Sequence, residues 1–121
     1  MRQIYILSLV ILLTGCDIQT KFDSEKWKEY QDLEVYPNRE AMLRDIIENK
    51  RFIGQDYQIV IDSLGQPENY TDINKNELWY PVIIDYGMDI DPVYIKHLTL
   101  TMDSDSIVTK VEIREWKQGE N

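Results

Sequence analysis

Few residues in this 121-residue chain could form a catalytic pair of a nucleophile and a general base. His97 is the only histidine, and Ser63 lies in the stretch DSLG, which lacks the Gly-x-Ser-x-Gly pattern of an exposed serine nucleophile. A Ser/His/Asp arrangement would therefore have to be built around one imidazole ring. No Gly-rich phosphate-binding loop is found either. We therefore predict that the chain has no catalytic residue and is not an enzyme.

Four aspartates could offer oxygen ligands to a calcium ion: Asp89, Asp91, Asp103 and Asp105. The stretch DSDSIVTK, however, lacks the central glycine and the distal glutamate of an EF-hand loop. Aspartates in turns also accept hydrogen bonds from nearby backbone amides without any ion. We therefore predict a plain hairpin turn at DSDS, and neither a metal ion nor a cofactor.

The only cysteine, Cys16, follows an apolar run, IYILSLVILL, that has Arg2 as the one charge before it. A helix that crosses a bilayer needs about 20 apolar residues, so this shorter run is typical of an export signal. The tetrapeptide LTGC at residues 13–16 resembles a bacterial lipobox, in which the cysteine receives a diacylglyceryl group and a peptidase cuts before it. The alternative is a buried free cysteine or half of a disulfide, but the chain contains no second cysteine. We predict a signal peptide over residues 1–15 and lipidation of Cys16.

Acidic residues outnumber basic ones by 22 to 13, which gives a formal net charge of -9. Removal of residues 1–15 takes away Arg2, so the remaining 106 residues carry a charge of -10. This charge opposes binding to nucleic acid and to anionic lipid headgroups. The predicted membrane contact therefore depends on the N-terminal lipid, and we expect no nucleic-acid partner.

The middle of the chain carries the apolar spacing of two helices. Met42, Leu43, Ile46 and Ile47 form one stripe, which predicts a helix over residues 39–49 with Asn38 as its N-cap. Apolar residues from Tyr57 to Leu64 follow the spacing i, i+3, i+4 and i+7, which predicts a second helix. Asp56 can cap this helix, and Gly65 and Pro67 end it.

Three later stretches are rich in β-branched and aromatic residues, which favour strands: ELWYPVIIDY, VYIKHLTLTM and IVTKVEIREW. Pro81 lacks an amide proton, which places the first strand at an edge or at a bulge. We predict an α+β fold in which two N-terminal helices pack on a three-stranded antiparallel β-meander. The predicted organisation is a signal peptide (1–15), a lipidated cysteine with a tether and docked segment (16–36), a single α+β domain (37–117) and a polar tail (118–121). Phe22, Trp27 and Tyr30 are the side chains expected to dock the tether.

The stretch REAMLRDIIENKRFIGQDYQIVIDSLGQPENY, followed by a strand with LWY and a terminal hairpin, is similar to the BamE/SmpA-type and β-lactamase-inhibitor-like small lipoproteins. The matching residues are Met42, Leu43, Ile46, Ile47, Gly54, Val60, Leu64, Gly65 and Pro67, and the likeness covers roughly Arg39 to Trp116. It implies this fold and an accessory role in an envelope assembly complex. The tandem repeat of the secreted inhibitors is absent, so the likeness does not imply inhibition of β-lactamase.

Alternation along the strands predicts large side chains on both faces of the sheet. The residues expected to face the helices are Leu78, Tyr80, Val82, Ile84, Leu98, Leu100, Val111 and Ile113, which leaves Pro81, Ile95 and Val108 on the outer face. Trp79, Ile83, His97 and Trp116 share that outer face and are our predicted partner-binding residues, since exposed aromatic residues often anchor interfaces. Two alternatives remain open: residues 22–36 cover this face, or twist of the sheet turns Trp79 into the core.

These features predict a non-enzymatic, protein-binding module of the bacterial cell envelope. Its lipid would anchor it to the inner or outer membrane with the domain in the periplasm, and its partner would be another envelope protein. In enterobacteria-like sorting, an aspartate at the position of Asp17 retains a lipoprotein in the inner membrane. The alternative hypothesis is a small-ligand-binding protein or a hydrolase that uses His97 on the outer face of the sheet.

Overall fold

The computed structural model describes residues 19–31, 35–69 and 76–119, so the predictions for the signal peptide, Cys16 and Asp17 lie outside the described residues. The described helices and strands are α1 (Ser24–Lys28), α2 (Arg39–Glu48), α3 (Tyr57–Leu64), β1 (Glu77–Asp85), β2 (Tyr94–Met102) and β3 (Val108–Lys117). The three strands form one antiparallel sheet in the order β1-β2-β3. The predicted α+β fold and meander are confirmed, and α1 is an additional short helix. Within the described part of the chain, no helix combines the length and apolar character that a membrane span requires.

The ends of the two predicted helices follow from their capping residues. The Asp56 carboxylate accepts a hydrogen bond from the amide of Ile59 at 3.0 Å, so α3 begins where the sequence predicts. Gly65 ends this helix with a φ of 82°, a conformation that favours glycine. Asn38 occupies the N-cap position of α2, but its amide donates to the carbonyl of Lys26 instead of capping the helix. The position of this cap was predicted correctly and its hydrogen bond was not.

The N-terminal segment docks on the helices. The amide of Thr20 donates to the carbonyl of Ala41 at 3.0 Å, and the amide of Phe22 donates to the Asp45 carboxylate at 2.6 Å. Trp27, on α1, is completely buried in the core. Tyr30 remains 70% exposed and lies beside Tyr36, so its predicted docking role is wrong. The tether ends earlier than the sequence suggests, because the described chain is already docked at Thr20.

A buried arginine joins this segment to the sheet. Arg39 Nε donates to the carbonyl of Trp27 at 2.9 Å, and Nη1 donates to the carbonyl of Pro81 at 2.7 Å. The guanidinium lies 4.7 Å from the ring centroid of Trp27 and 3.6 Å from that of Tyr36, which allows cation–π attraction to both rings. Burial lowers the pKa of Arg39 to about 10, so the side chain stays charged near neutral pH. The same cation therefore fastens α1, α2 and β1 together.

The core lies between the helices and one face of the sheet. Its buried members come from every element: Trp27, Met42, Leu43, Ile46, Val60, Leu64, Leu78, Tyr80, Val82, Leu98, Leu100, Met102 and Val108, with Phe52 from a loop. The Tyr80 hydroxyl donates to the carbonyl of Gly65 at 2.8 Å, which satisfies its polar end inside the core. Burial raises the pKa of Tyr80 well above its ordinary value.

Two irregularities in the strands correct the predicted faces. The β1–β2 register shifts between Pro81 and Ile83, and the β2–β3 register shifts between Thr101 and Met102. A bulge adds one residue to a strand and so reverses the alternation beyond it. Ile83 therefore packs against the core and Ile84 takes the outer face, contrary to the prediction for both. Val108 is likewise buried in the core and not on the outer face.

The bulge in β1 lies where Pro81 was predicted to place one, and β1 is also an edge strand of the sheet. The hairpin predicted at DSDS is present too. The Asp103 carboxylate accepts from the amides of Asp105 and Ile107 at 2.9 and 3.1 Å, and the Asp103 amide donates to the carbonyl of Ile107. The Asp103 carboxylate therefore stabilises the backbone of the turn in which it lies.

Candidate binding surface on the outer face of the sheet

Three of the four predicted partner-binding residues lie together on the outer face, the face of the sheet opposite the core. Trp79 stands in one row with Thr99, His97 stands in the next row with Arg114, and Trp116 lies opposite Ile95 beyond them. The Trp79 and His97 rings are 6.3 Å apart between centroids and inclined by 48°. Ile83 is excluded from this group because the bulge turns it toward the core.

These side chains border a depression of about 270 Å³. Its lining residues are Trp79, His97, Thr99, Arg114, Glu115 and Trp116. Trp116 is 41% exposed, and Trp79 does not belong to the core cluster. The described part of segment 22–36 anchors Phe22 and Trp27 on the core side of the sheet. The described part of segment 22–36 therefore does not cover the outer face, and Trp79 is not turned into the core.

An ion-pair network connects Arg114, which lines the depression, to two carboxylates of the sheet. Arg114 on β3 donates two hydrogen bonds to the Glu77 carboxylate on β1, at 3.1 and 2.9 Å, and a third to Glu112 at 2.8 Å. Glu77 also accepts from the indole of Trp79 at 3.0 Å. In the strand registers, Thr99 lies between the cross-strand position of Glu77 and that of Arg114. The ion pair of Glu77 and Arg114 therefore passes over Thr99, which is only 1% exposed.

The network fixes the charges of its members. Hydrogen bonds from Arg114 and Trp79 hold the pKa of Glu77 below its ordinary value. Hydrogen bonds from Lys110 and Arg114 do the same to the pKa of Glu112, and the two carboxylates raise that of Arg114. The charged groups of the network are therefore paired within the chain, and one of them, Glu77, accepts a hydrogen bond from the indole of Trp79.

His97 has an acidic partner from a different part of the chain. Its Nε2 lies 3.1 Å from Glu68 Oε1. Glu68 lies in the loop that precedes β1, and this loop runs along the edge of the strand. The amide of Glu68 donates to the carbonyl of Trp79 at 2.7 Å. The Asn69 side chain accepts from the amide of Trp79 and donates to the carbonyl of Glu77. The loop therefore covers the first part of the edge of β1, at Glu77 and Trp79, and brings a carboxylate to the histidine.

The described residues that line the depression supply binding groups, and the one hydroxyl among their side chains is not accessible. Thr99 is the lining residue with a hydroxyl, and it is almost fully buried. Ser63 lines a separate depression with Phe22 and Phe52, so the structure does not bring it to His97. Among the described residues, no group of three or more His, Cys, Asp or Glu side chains is placed to hold a metal ion.

Sequence reasoning missed Glu68, Glu77 and Arg114. Glu68 stands in a polar loop whose composition predicts only a turn, and its partner lies 29 residues away. Glu77 and Arg114 are 37 residues apart, and their contact depends on the strand registers. Alternation does place Arg114 on the outer face, but it carries no information about which carboxylate the side chain reaches.

Comparisons of the chain with protein-family models, with curated proteins and with solved structures gave no match. The similarity to the BamE/SmpA-type lipoproteins over roughly Arg39 to Trp116 therefore stays a prediction, which rests mostly on apolar spacing and the stretch LGQP.

Proposed function

We propose that this chain is a lipid-anchored, non-enzymatic protein of the bacterial cell envelope, and that the outer face of its sheet binds another envelope protein. The observation that carries the proposal is the grouping of Trp79, His97 and Trp116 around one depression, with Trp116 41% exposed. Tryptophan is enriched among the residues that dominate interface energetics. An accessory role in an envelope assembly complex agrees with the predicted family likeness.

The polar groups around the depression suit a protein interface. Arg114 and the carboxylates of Glu77 and Glu112 already bond one another, so a partner that covers them leaves no unpaired charge behind. The two tryptophans would supply apolar contact area. With a net charge of -9, the chain would not hold an acidic partner by charge alone.

The docked N-terminal segment would limit the distance between the domain and a membrane to which Cys16 is anchored. Four residues lead from Cys16 to Thr20, whose amide is bonded to the carbonyl of Ala41. A fully extended chain of this length covers about 14 Å. If Cys16 carries the lipid, the domain would therefore work close to the bilayer, in the inner or outer membrane and on its periplasmic side, where membrane-bound partners are within reach.

The proposal is tested by capture of partners from detergent-solubilised membranes. We expect Trp116→Ala and Trp79→Ala to reduce capture at least about tenfold, because truncation of an interface anchor commonly weakens binding by that factor or more. Tyr30→Ala is the matched control, since Tyr30 is an exposed aromatic residue far from the depression in sequence and is 70% exposed. Capture that is equal for all three variants, each with a normal melting curve, would exclude the outer face as the binding site.

A second candidate is the binding of a small ligand in the same depression. The pairing of His97 with Glu68 at its border favours this candidate, because a histidine fixed by a carboxylate presents its other nitrogen in a defined orientation. The volume of about 270 Å³ is near the lower end for small-molecule sites, which begin at about 300 Å³. Native mass spectrometry of the protein isolated from membranes would test this: a bound mass present in the wild type and lost in His97→Ala supports a ligand site.

A further inference from the structure

Among the residues that the structure describes, a loop bonds the β1 edge of the sheet, and no comparable segment bonds the β3 edge. The loop containing Glu68 and Asn69 bonds the backbone of β1. On the β3 side, Gly54 and Gln55 bond only the first residue, Val108, at 2.8 and 2.9 Å. From residue 109 to residue 117, no described residue outside the sheet donates a backbone hydrogen bond to this edge or accepts one from it. An open edge of this length is a template for another strand.

The ladder determines which backbone groups point outward. Gln118 donates to the carbonyl of Val93 at 2.9 Å, while Tyr94 pairs with Lys117. This pattern makes Tyr94 and Lys117 a non-hydrogen-bonded pair, and pair types alternate along an antiparallel ladder. Val111, Ile113 and Glu115 consequently direct their N–H and C=O groups toward the open edge.

We propose that β3 pairs antiparallel with β3 of a second copy of this chain, with Ile113 opposite Ile113 at the two-fold axis. In this register, Ile113 exchanges two backbone hydrogen bonds with its counterpart, and Val111 exchanges two with Glu115 of the second copy. Ile113 is 39% exposed in the single chain and gains an apolar neighbour across the axis. The proposal goes beyond the protein-binding function, since it uses the edge of the sheet and not its outer face.

Charge complementarity selects this register. Glu112 stands opposite Arg114 of the second copy, and the two-fold axis repeats the pair. Lys110 stands opposite Trp116 of the second copy, where its ammonium can lie against the indole. A shift by two residues in one direction places Arg114 opposite Arg114, and a shift in the other direction places Glu112 opposite Glu112. Like charges directly opposite each other destabilise a strand pair.

The charge of β3 also permits two acidic molecules to meet here. The strand holds three basic residues, Lys110, Arg114 and Lys117, and two acidic ones, Glu112 and Glu115, so it carries +1 in a chain of -9. Pairing would join two sheets side by side and bring Lys110 of each copy to the Trp116 border of the other's depression. The second copy would thereby contribute a residue to the candidate binding surface.

The register is tested by disulfide formation between full-length chains in membranes. Two differently tagged chains are co-expressed, one with Glu112→Cys and the other with Arg114→Cys. Facing residues of a non-hydrogen-bonded pair lie about 4.5 Å apart between Cα atoms, within the range for a disulfide. We expect at least about tenfold more mixed dimer than dimer from two Arg114→Cys chains, whose diagonal separation of about 7–8 Å is too long. Equal yields, or no dimer in either case, would overturn the proposal.

A charge exchange tests the same pairs without relying on their geometry. In a background with Ile113→Cys, which places one thiol opposite its counterpart, Glu112→Arg and Arg114→Glu should each lower the disulfide yield about tenfold, since both create two like-charged pairs. The double variant restores both opposite-charge pairs and should recover most of the yield. Arg44→Glu, on the exposed surface of α2, is the control. A double variant no better than the singles would contradict the pairing.

Discussion

At the scale of single residues, Arg114 organises the outer face. Its guanidinium bonds Glu77 on the far strand and Glu112 on its own strand, so it bridges the whole width of the sheet. Glu77 in turn holds the indole of Trp79. An aromatic anchor that is already oriented loses less conformational entropy on binding than one that must be ordered. If the outer face binds a partner, as proposed, the network would hold Trp79 in an orientation suited to that contact.

The acid sensitivity of this network can be predicted. Hydrogen bonds from Arg114 and Trp79 hold the pKa of Glu77 below its ordinary value of 4.5, so the folded state is stabilised above that pH and loses this stabilisation as the pH falls through the lower, folded-state pKa. Glu77→Gln removes the ionised group. We expect the variant to be less stable than the wild type near neutral pH, and this deficit to shrink as the pH falls below the ordinary value of 4.5 and through the lower pKa of the folded state.

Urea titrations at a series of pH values measure this effect. Glu48→Gln serves as the control, because Glu48 forms an exposed pair with Arg44 at 3.5 Å, and exposed pairs of this kind contribute little to stability. A Glu77→Gln deficit that is the same at neutral and at acid pH would mean that the ionised network does not stabilise the fold.

At the scale of elements, the end of α3 and the bulges in the strands determine which side chains of the sheet lie in the core and which lie on the outer face. Gly65 stops the helix and presents its carbonyl to the Tyr80 hydroxyl, which links α3 to β1. The bulge after Pro81 then turns Ile83 inward and completes the core at the far end of β1. The outer face keeps Trp79 because the bulge comes after it.

The backbone of Gly65 is the most demanding at this junction. Its φ of 82° and ψ of -169° belong to a region that is almost restricted to glycine. A Cβ at this position would meet only Lys28 side-chain atoms, at 3.8 Å or more, so the space is open and the strain lies in the backbone. We expect Gly65→Val to cost about 1–3 kcal/mol of unfolding free energy.

Leu64→Ala is the companion variant. Leu64 is 1% exposed, and truncation of such a core leucine should cost about 2–5 kcal/mol. Denaturant melts of both variants provide the measurement. Stabilities close to that of the wild type for both would show that α3 does not end or pack as described here.

At the scale of the whole molecule, the N-terminal segment is part of the domain. Trp27 is buried in the core and Arg39 bonds its carbonyl, so the chain from Thr20 to α1 is held by tertiary contacts. A lipid on Cys16 would thus be attached to the folded body by a short connection.

Lipidation itself is tested at Cys16. We expect Cys16→Ala to abolish incorporation of a labelled fatty acid and to leave an uncleaved precursor, because the chain has no other cysteine to accept the lipid. Asp17→Ser, examined in parallel by density separation of the two membranes, tests retention in the inner membrane. Label that persists in Cys16→Ala would refute the lipobox interpretation, and an outer-membrane location that is the same with and without Asp17 would exclude retention by this residue.

The sequence alone determined the helices, the strands and the sheet face on which several side chains lie, because local signals encode these features. Apolar periodicity and the caps at Asp56 and Gly65 predicted the two longer helices, and β-branched stretches predicted the three strands and their meander, because these signals act within a few residues. Alternation also placed Trp79, His97 and Trp116 on one face, which the structure confirms.

Only the tertiary structure decided the features that depend on long-range pairing. The bulges moved Ile83 and Val108 into the core, since a bulge is defined by the register with a neighbouring strand. His97 and Glu68 are 29 residues apart in the sequence, and Arg39 and Pro81 are 42 residues apart, yet each pair is in contact in the folded chain. Such contacts form because buried or aligned polar groups need partners wherever the fold brings them, and no local pattern records which partner that will be.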